Sequence, residues 1–191
     1  MNKQGFGQVL SPMEFTMLQK GKQGGFVAAY QLYADHVYSL SFHLVCDEEI
    51  AADILQSVFE TLLNKAHTIR EIDKLGAWIK TCAVNACMEY FRRVKKEREY
   101  INKQKEQTDN NHVLSQPSED LASCNYQSSE VAQLISQLPV AQRSIVYLHA
   151  VQNLKHRDIA KNIGVNEDNS RQSYRRALKQ LKAWLTRTKY E

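Results

Sequence analysis

The chain has 191 residues, 43% hydrophobic and 24% charged, with a net charge of +4. This is the composition of an ordinary globular protein of one or two domains, large enough to bury a core without disulfide staples. The longest stretches free of Asp, Glu, Lys and Arg are 12 residues, Gln23–Ala34 and Val131–Gln142, shorter than the roughly 20 apolar residues of a membrane-spanning helix, and the scarcity of Gly and Pro argues against an all-β chain of many tight turns.

The opening Met-Asn-Lys-Gln-Gly-Phe-Gly lacks the apolar stretch of a signal peptide. From Met13 to Lys96 the apolar spacing is helical. Phe26, Tyr30, Tyr33, Val37, Leu40 and Leu44 recur at steps of three and four, as do Ile50, Ile54, Val58 and Leu62, then Leu75, Ile79, Ala83, Ala86 and Tyr90. Such stripes predict amphipathic helices packed on one another. Gly21, Gly24 and Gly25 separate the first two, and the acidic run Asp47-Glu48-Glu49 suits the start of another.

From Ile101 to Glu130 only 7 of 30 residues are apolar, too few for a core of their own, so the stretch reads as a polar, acidic linker. Helical spacing returns with Leu134, Ile135 and Leu138 before Pro139. It continues through Ile145, Leu148 and Val151, then Leu154, Ile159 and Ile163, and finally Tyr174, Ala177/Leu178, Leu181 and Trp184/Leu185. Charge is uneven: residues 131–191 hold 11 basic and 4 acidic residues, net +7. A concentrated positive field suits a polyanion, most often nucleic acid.

The segment from Leu154 to Ala177 carries a helix-turn-helix signal. Ala160 is small where two helices cross, Gly164 suits a left-handed helix end, Val165 is expected to plug the turn, and Asn166 is a good N-cap. The following helix presents Arg171, Gln172, Arg175 and Arg176, which can read guanine and adenine edges or hold phosphates in a major groove.

Cys46, Cys82, Cys87 and Cys124 are too scattered for a disulfide framework, which fits a reducing cytoplasm. Cys82 and Cys87 lie five apart, and His149 and His156 seven apart, so free cysteines and no metal site are expected. No Ser-His-Asp order, glycine-rich phosphate loop or His-Glu-x-x-His is present. The expectation is a protein without catalytic chemistry, cofactor or metal.

The block from Leu138-Pro-Val-Ala-Gln-Arg through Arg175-Arg176-Ala177 resembles region 4 of bacterial sigma-70 factors, in particular the extracytoplasmic-function (ECF) group. Phe26-Val-Ala-Ala-Tyr-Gln-Leu-Tyr, Ala52-Asp-Ile-Leu-Gln-Ser-Val-Phe and Leu75-Gly-Ala-Trp-Ile-Lys-Thr-Cys-Ala-Val-Asn resemble region 2 of the same family. The resemblance implies an all-α protein: a region 2-like bundle at residues 1–98, a linker at 99–129 and a region 4-like helix-turn-helix domain at 130–191. It implies a cytoplasmic transcription initiation factor that binds core RNA polymerase, through the β′ clamp helices and β flap, and directs it to promoter DNA. An anti-sigma factor, free or membrane-anchored, is an implied partner, with no direct membrane insertion of this chain. The alternative is a helix-turn-helix regulator that never joins polymerase.

Position by position, Asp53 and Gln56 fall where the family meets the clamp. The loop His67–Ala77 falls where it captures a flipped −10 base, an event whose cost of a few kcal/mol a snug pocket must return. Lys74, Trp78, Asn85, Arg92 and Arg93 fall on the −10 surface, with Lys95 and Lys96 nearby, and the Asn85 amide has both a donor and an acceptor for a base edge. Arg171, Gln172, Arg175 and Arg176 fall on the −35 surface. Departures from the family pattern are Ser57, Glu89, Lys22 and Gly24, Lys155 in place of a Ser or Thr cap (Asn153 being the expected substitute), Asn169-Ser170, whose Ser weakens an apolar contact, and Ser173.

Overall fold

The computed structural model describes residues 5–106 and 130–188, which are almost wholly helical and contain no strand. They form two compact units, Met1–Glu89 and Tyr90–Glu191.

In the first unit, α1 (Pro12–Gln19) starts at a reciprocal cap. Ser11 Oγ accepts from the Glu14 backbone N–H, while the Glu14 carboxylate accepts from the Ser11 N–H at 2.8 Å. The α2 helix (Gln23–Val45) crosses α1 closely, because Gly25 leaves room for the Leu18 backbone where any Cβ would stand only 2.1 Å from the Leu18 nitrogen. The α3 helix (Glu48–Lys65) begins at Asp47, whose side chain accepts from the Ile50 N–H at 2.9 Å, as the acidic run predicts. Two 3-10 turns, Ala66–Thr68 and Ile72–Lys74, lead into α4 (Leu75–Glu106). The core is built from the expected stripes: Tyr33, Val37, Leu40 and Leu44, then Ile54, Val58 and Leu62, then Leu75, Ile79 and Ala83 are all buried. Tyr30 departs from its stripe and stays exposed, its ring 4.8 Å from that of Phe59.

The α4 helix continues through Glu106, into the stretch the composition assigns to the linker. Residues 95–106 are mostly Lys, Glu, Arg and Gln, good helix formers that need no apolar face to extend an existing helix. The rest of that stretch, residues 107–129, lies outside the described residues.

In the second unit, α5 (Glu130–Ser136), α6 (Val140–Val146), a π-helical turn (Tyr147–Val151), α7 (His156–Ile163) and α8 (Glu167–Thr188) enclose a core of Leu138, Val146, Ala177 and Leu181, with Leu134, Ile135, Tyr174 and Trp184 packed against it. Arg143 is also buried and donates from Nη1 to the Ser136 carbonyl at 3.2 Å. Trp184 thus packs on the core, but Val151, Leu178 and Leu185, assigned to the same stripes by spacing, are exposed. A stripe of width three to four per two turns is wider than the groove a short helix pair offers, so its flanking members remain outside.

Cys82 and Cys87 are free thiols, and burial pushes the Cys87 thiol up to about 12. Cys46 is buried. It sits not on a helical stripe but at the left-handed C-cap of α2, with φ 59°. Cys124 lies outside the described residues.

Candidate functional site

The turn between α7 and α8 is built as its residues dictate. Gly164 adopts φ 78°, and the N–H groups of Gly164 and Val165 both donate to the Ala160 carbonyl, at 2.9 and 3.0 Å, closing α7. Asn166 Oδ1 accepts from the Asn169 N–H at 2.7 Å, opening α8. Val165 does not plug the turn: it is 40% exposed. Asn153 does not cap α7 either. It takes φ 55°, and Lys155 occupies the N-cap with no side-chain bond. An Asx residue tolerates the left-handed region, so here Asn153 reverses the chain two residues ahead of the helix.

Ser170, read from sequence as a weakened apolar contact, is fully buried on α8 and lies 3.0 Å from His156 Nδ1. The His156 ring stacks on His149 at 4.1 Å between centroids, and Tyr174 sets its ring edge-on to both, at 4.7 Å to His149 and 5.4 Å to His156. His149 Nδ1 is 2.8 Å from the Leu154 carbonyl and therefore donates to it. Desolvation holds His156 below the usual histidine range, with the neighbouring His149 and Arg171 adding to the effect and Glu167 opposing it. This polar joint ties the π-helical turn, α7 and α8 together. A seven-residue spacing across a turn carries no sign of it.

With the frame fixed this way, α8 directs Arg171, Gln172, Arg175 and Arg176 to solvent, and all four are exposed. They are not equivalent. Arg171 is held by an i,i+4 ion pair to Glu167, while Arg175 and Arg176 lie one turn further along the helix. Four cationic or amide side chains on exposed helix positions can meet phosphates and base edges at once.

On α3, Asp53 and Gln56 are both exposed, one turn apart, and Ile54, Val58 and Leu62 are buried on the opposite side. Gln56 Nε2 donates to Glu60 Oε1 at 2.8 Å, so the exposed stripe extends to Glu60, a residue that its position in the sequence did not single out. Ser57 is exposed beside it. Lys74 is exposed at the end of the second 3-10 turn. Trp78 is half-buried in the first turns of α4, and Asn85 and Arg92 are exposed. Steps of seven put Trp78, Asn85 and Arg92 on one stripe of the helix. Arg93 is exposed and places its guanidinium 5.8 Å from the Tyr90 ring centroid. The side chain of Lys95 lies outside the described residues.

Among the described residues no group of three or more His, Cys, Asp or Glu side chains is placed to hold a metal ion, and no helix is long and apolar enough to cross a membrane.

Residues 29–97 match the family described as Sigma-70 region 2, and residues 128–181 match Sigma-70, region 4. Among curated proteins of Bacillus subtilis (strain 168), the chain is 26% identical to RNA polymerase sigma factor SigV over 150 residues, covering 78% of this chain and 84% of that one. It is 24% identical to ECF RNA polymerase sigma factor SigX, over 82% of this chain and 81% of that one. It is also 24% identical to ECF RNA polymerase sigma factor SigM, over 83% and 93% respectively. The fold is similar to that of the sigma factor RpoE from Bartonella quintana, solved with the anti-sigma factor NepR. The TM-score is 0.55 at 18% identity, covering 84% of this chain and 96% of that one.

Proposed function

Because the chain belongs to the sigma-70 family, in its extracytoplasmic-function group, and is a polymerase-binding promoter-specificity factor rather than an enzyme, we propose that residues 1–98 and 130–191 divide the promoter between them, with 99–129 as the connection. In this reading Asp53 and Gln56 meet the β′ clamp helices. Loop His67–Ala77 with Lys74, Trp78, Asn85, Arg92 and Arg93 captures and melts the −10 element. Arg171, Gln172, Arg175 and Arg176 read the −35 element, and the second unit meets the β flap.

The observation that carries this division is the exposure of Asp53, Gln56, Lys74, Asn85, Arg92, Arg93, Arg171, Gln172, Arg175 and Arg176, with Trp78 half-buried, while Ile54, Val58, Leu62, Ile79, Ala83 and Ala177 on the same helices are buried. Arg175 and Arg176 stand exposed for phosphate, Arg171 exchanges its Glu167 partner for one, and each phosphate neutralised adds salt-dependent affinity. The region 2 match over residues 29–97 speaks against a helix-turn-helix regulator that never joins polymerase, since such a regulator has no use for a clamp-binding helix. An anti-sigma factor holding this chain inactive belongs to the same reading, supported by the solved neighbour's partner. A cytoplasmic location follows from the site of transcription, and cell fractionation tests it.

The deciding experiment is run-off transcription with core RNA polymerase, this protein and a genomic promoter library. New start sites sharing spaced −10 and −35 motifs are expected. Absence of core binding would overturn the reading in favour of the regulator.

A further inference from the structure

The candidate −10 loop is held in place from outside the region 2 match, by contacts from the turn Gly5–Gly7 and from α1. Its first half is pinned by α1: Gln19 Nε2 donates to the Ile69 carbonyl at 2.7 Å, and the Ile69 side chain is buried. Its second half is pinned by the turn Gly5–Gly7. The Phe6 carbonyl oxygen rests on Gly76, so close that a Cβ there would stand 2.0 Å from it and 3.2 Å from Tyr33 Cε1. The Phe6 segment is itself anchored. Its ring stacks parallel to Tyr33 at 6.5 Å and tilts against His36 at 5.9 Å, and Tyr33 Oη donates to the Gln8 carbonyl at 2.6 Å. Leu10 is buried just beyond.

Both anchors act on the two ends of one short stretch. Residues 69 and 76 bracket the 3-10 turn that carries Lys74 and precede Trp78. Two 3-10 turns in series hold few internal hydrogen bonds, so their geometry depends on what grips them from outside. A pocket that captures a flipped base must be pre-formed, because a loose loop gives back part of its binding energy in ordering itself.

The geometry points to Phe6 and Gln19 as positioning residues for −10 base capture: they touch no DNA but set the shape of the loop that does. This rests on the assignment of loop His67–Ala77 to the −10 element.

The test uses full-length protein in holoenzyme and the promoter recovered by run-off transcription. Its readout is the discrimination ratio, transcription from that promoter divided by transcription from a copy with the captured −10 base changed. Phe6→Ala and Gln19→Ala are each expected to lower the ratio about 2- to 10-fold, the span of one broken hydrogen bond or anchor, with unchanged affinity for core polymerase. Phe6→Tyr keeps the ring stack and the ratio. Lys74→Ala, within the loop, is the reference arm. If Lys74→Ala lowers the ratio and the two positioning variants do not, the inference fails and the loop assignment stands. If none of the three changes it, the loop assignment itself fails. A parallel fall in core affinity and ratio reduces Phe6 and Gln19 to general structural roles and equally overturns the inference.

Discussion

Two adjacent glycines in α2 are expected to respond in opposite ways to the same substitution. At Gly25 a Cβ meets backbone: Leu18 N at 2.1 Å, Leu18 Cα and Met17 C at 2.6 Å. Ordinary contact begins near 3.4 Å, so α1 has to withdraw by roughly 1 Å, and a backbone cannot swing aside as a side chain does. Overpacking of this kind costs about 1–3 kcal/mol. Withdrawal of α1 also loosens Phe15 and Leu18, both buried, each contributing about 1.5–3 kcal/mol when fully packed. The gain from replacing a helical glycine, about 0.5–1 kcal/mol, does not offset this. Gly25→Ala should therefore destabilise the first unit by about 1–3 kcal/mol. At Gly24 the nearest atom is Met17 Cε at 2.6 Å, the free end of a flexible side chain, with the next at 3.9 Å. Met17 can change rotamer, so Gly24→Ala should stay within about 0.5 kcal/mol of the parent, on the stabilising side. The chain has two tryptophans. In a Trp184→Phe background, Trp78 fluorescence under urea reports the first unit. With m of about 1–3 kcal/mol/M, the Gly25→Ala midpoint should fall by about 1 M. Equal midpoints for the two variants would refute the claim that α1 and α2 touch through backbone at this crossing.

Other outcomes follow from the exposed faces and the histidine joint. Arg175→Ala with Arg176→Ala should weaken DNA binding and lower the slope of log affinity against log salt by about 0.9 for each phosphate no longer neutralised; an unchanged slope counts against this face as the DNA-binding one. Asp53→Ala with Gln56→Ala should weaken core polymerase binding while the melting temperature stays constant, since both side chains are exposed; a shift in melting with no change in polymerase affinity contradicts the assignment. Ser170→Ala should cost the second unit about 1 kcal/mol, by leaving His156 Nδ1 without its partner, read as a lower midpoint in a Trp78→Phe background. Because His156 is held below its ordinary 6.5, the folded unit binds fewer protons than the unfolded chain between the two values. Stability is therefore full above 6.5 and declines as pH falls through that window. Melting of the second unit at pH 7.5 and 5.5 checks the sign, and His156→Phe should flatten the difference.

Much of this protein is written in local sequence signals. The stripes on α2, α3 and α4 place most of their core residues, Tyr30 apart, since a period near 3.6 leaves one face to bury whatever the partner. Asp47, Gly164 and Asn166 end or begin helices as their own chemistry requires, because capping is settled within four residues. The exposure of Asp53, Asn85, Arg175 and Arg176 follows from the same periodicity. What tertiary structure alone decided involves residues far apart in the chain. Gln19 meets Ile69 and Phe6 meets Gly76, and no spacing rule links positions 50 or 70 residues apart. Ser170 reads as a weakened apolar position in sequence because a side chain's partner is unknown until helices dock; docking brings His156 to it and turns the departure into a hydrogen bond. Val165, Leu178 and Leu185 are apolar yet exposed, because hydrophobicity says which residues favour burial, while packing geometry decides how many of them two short helices can cover.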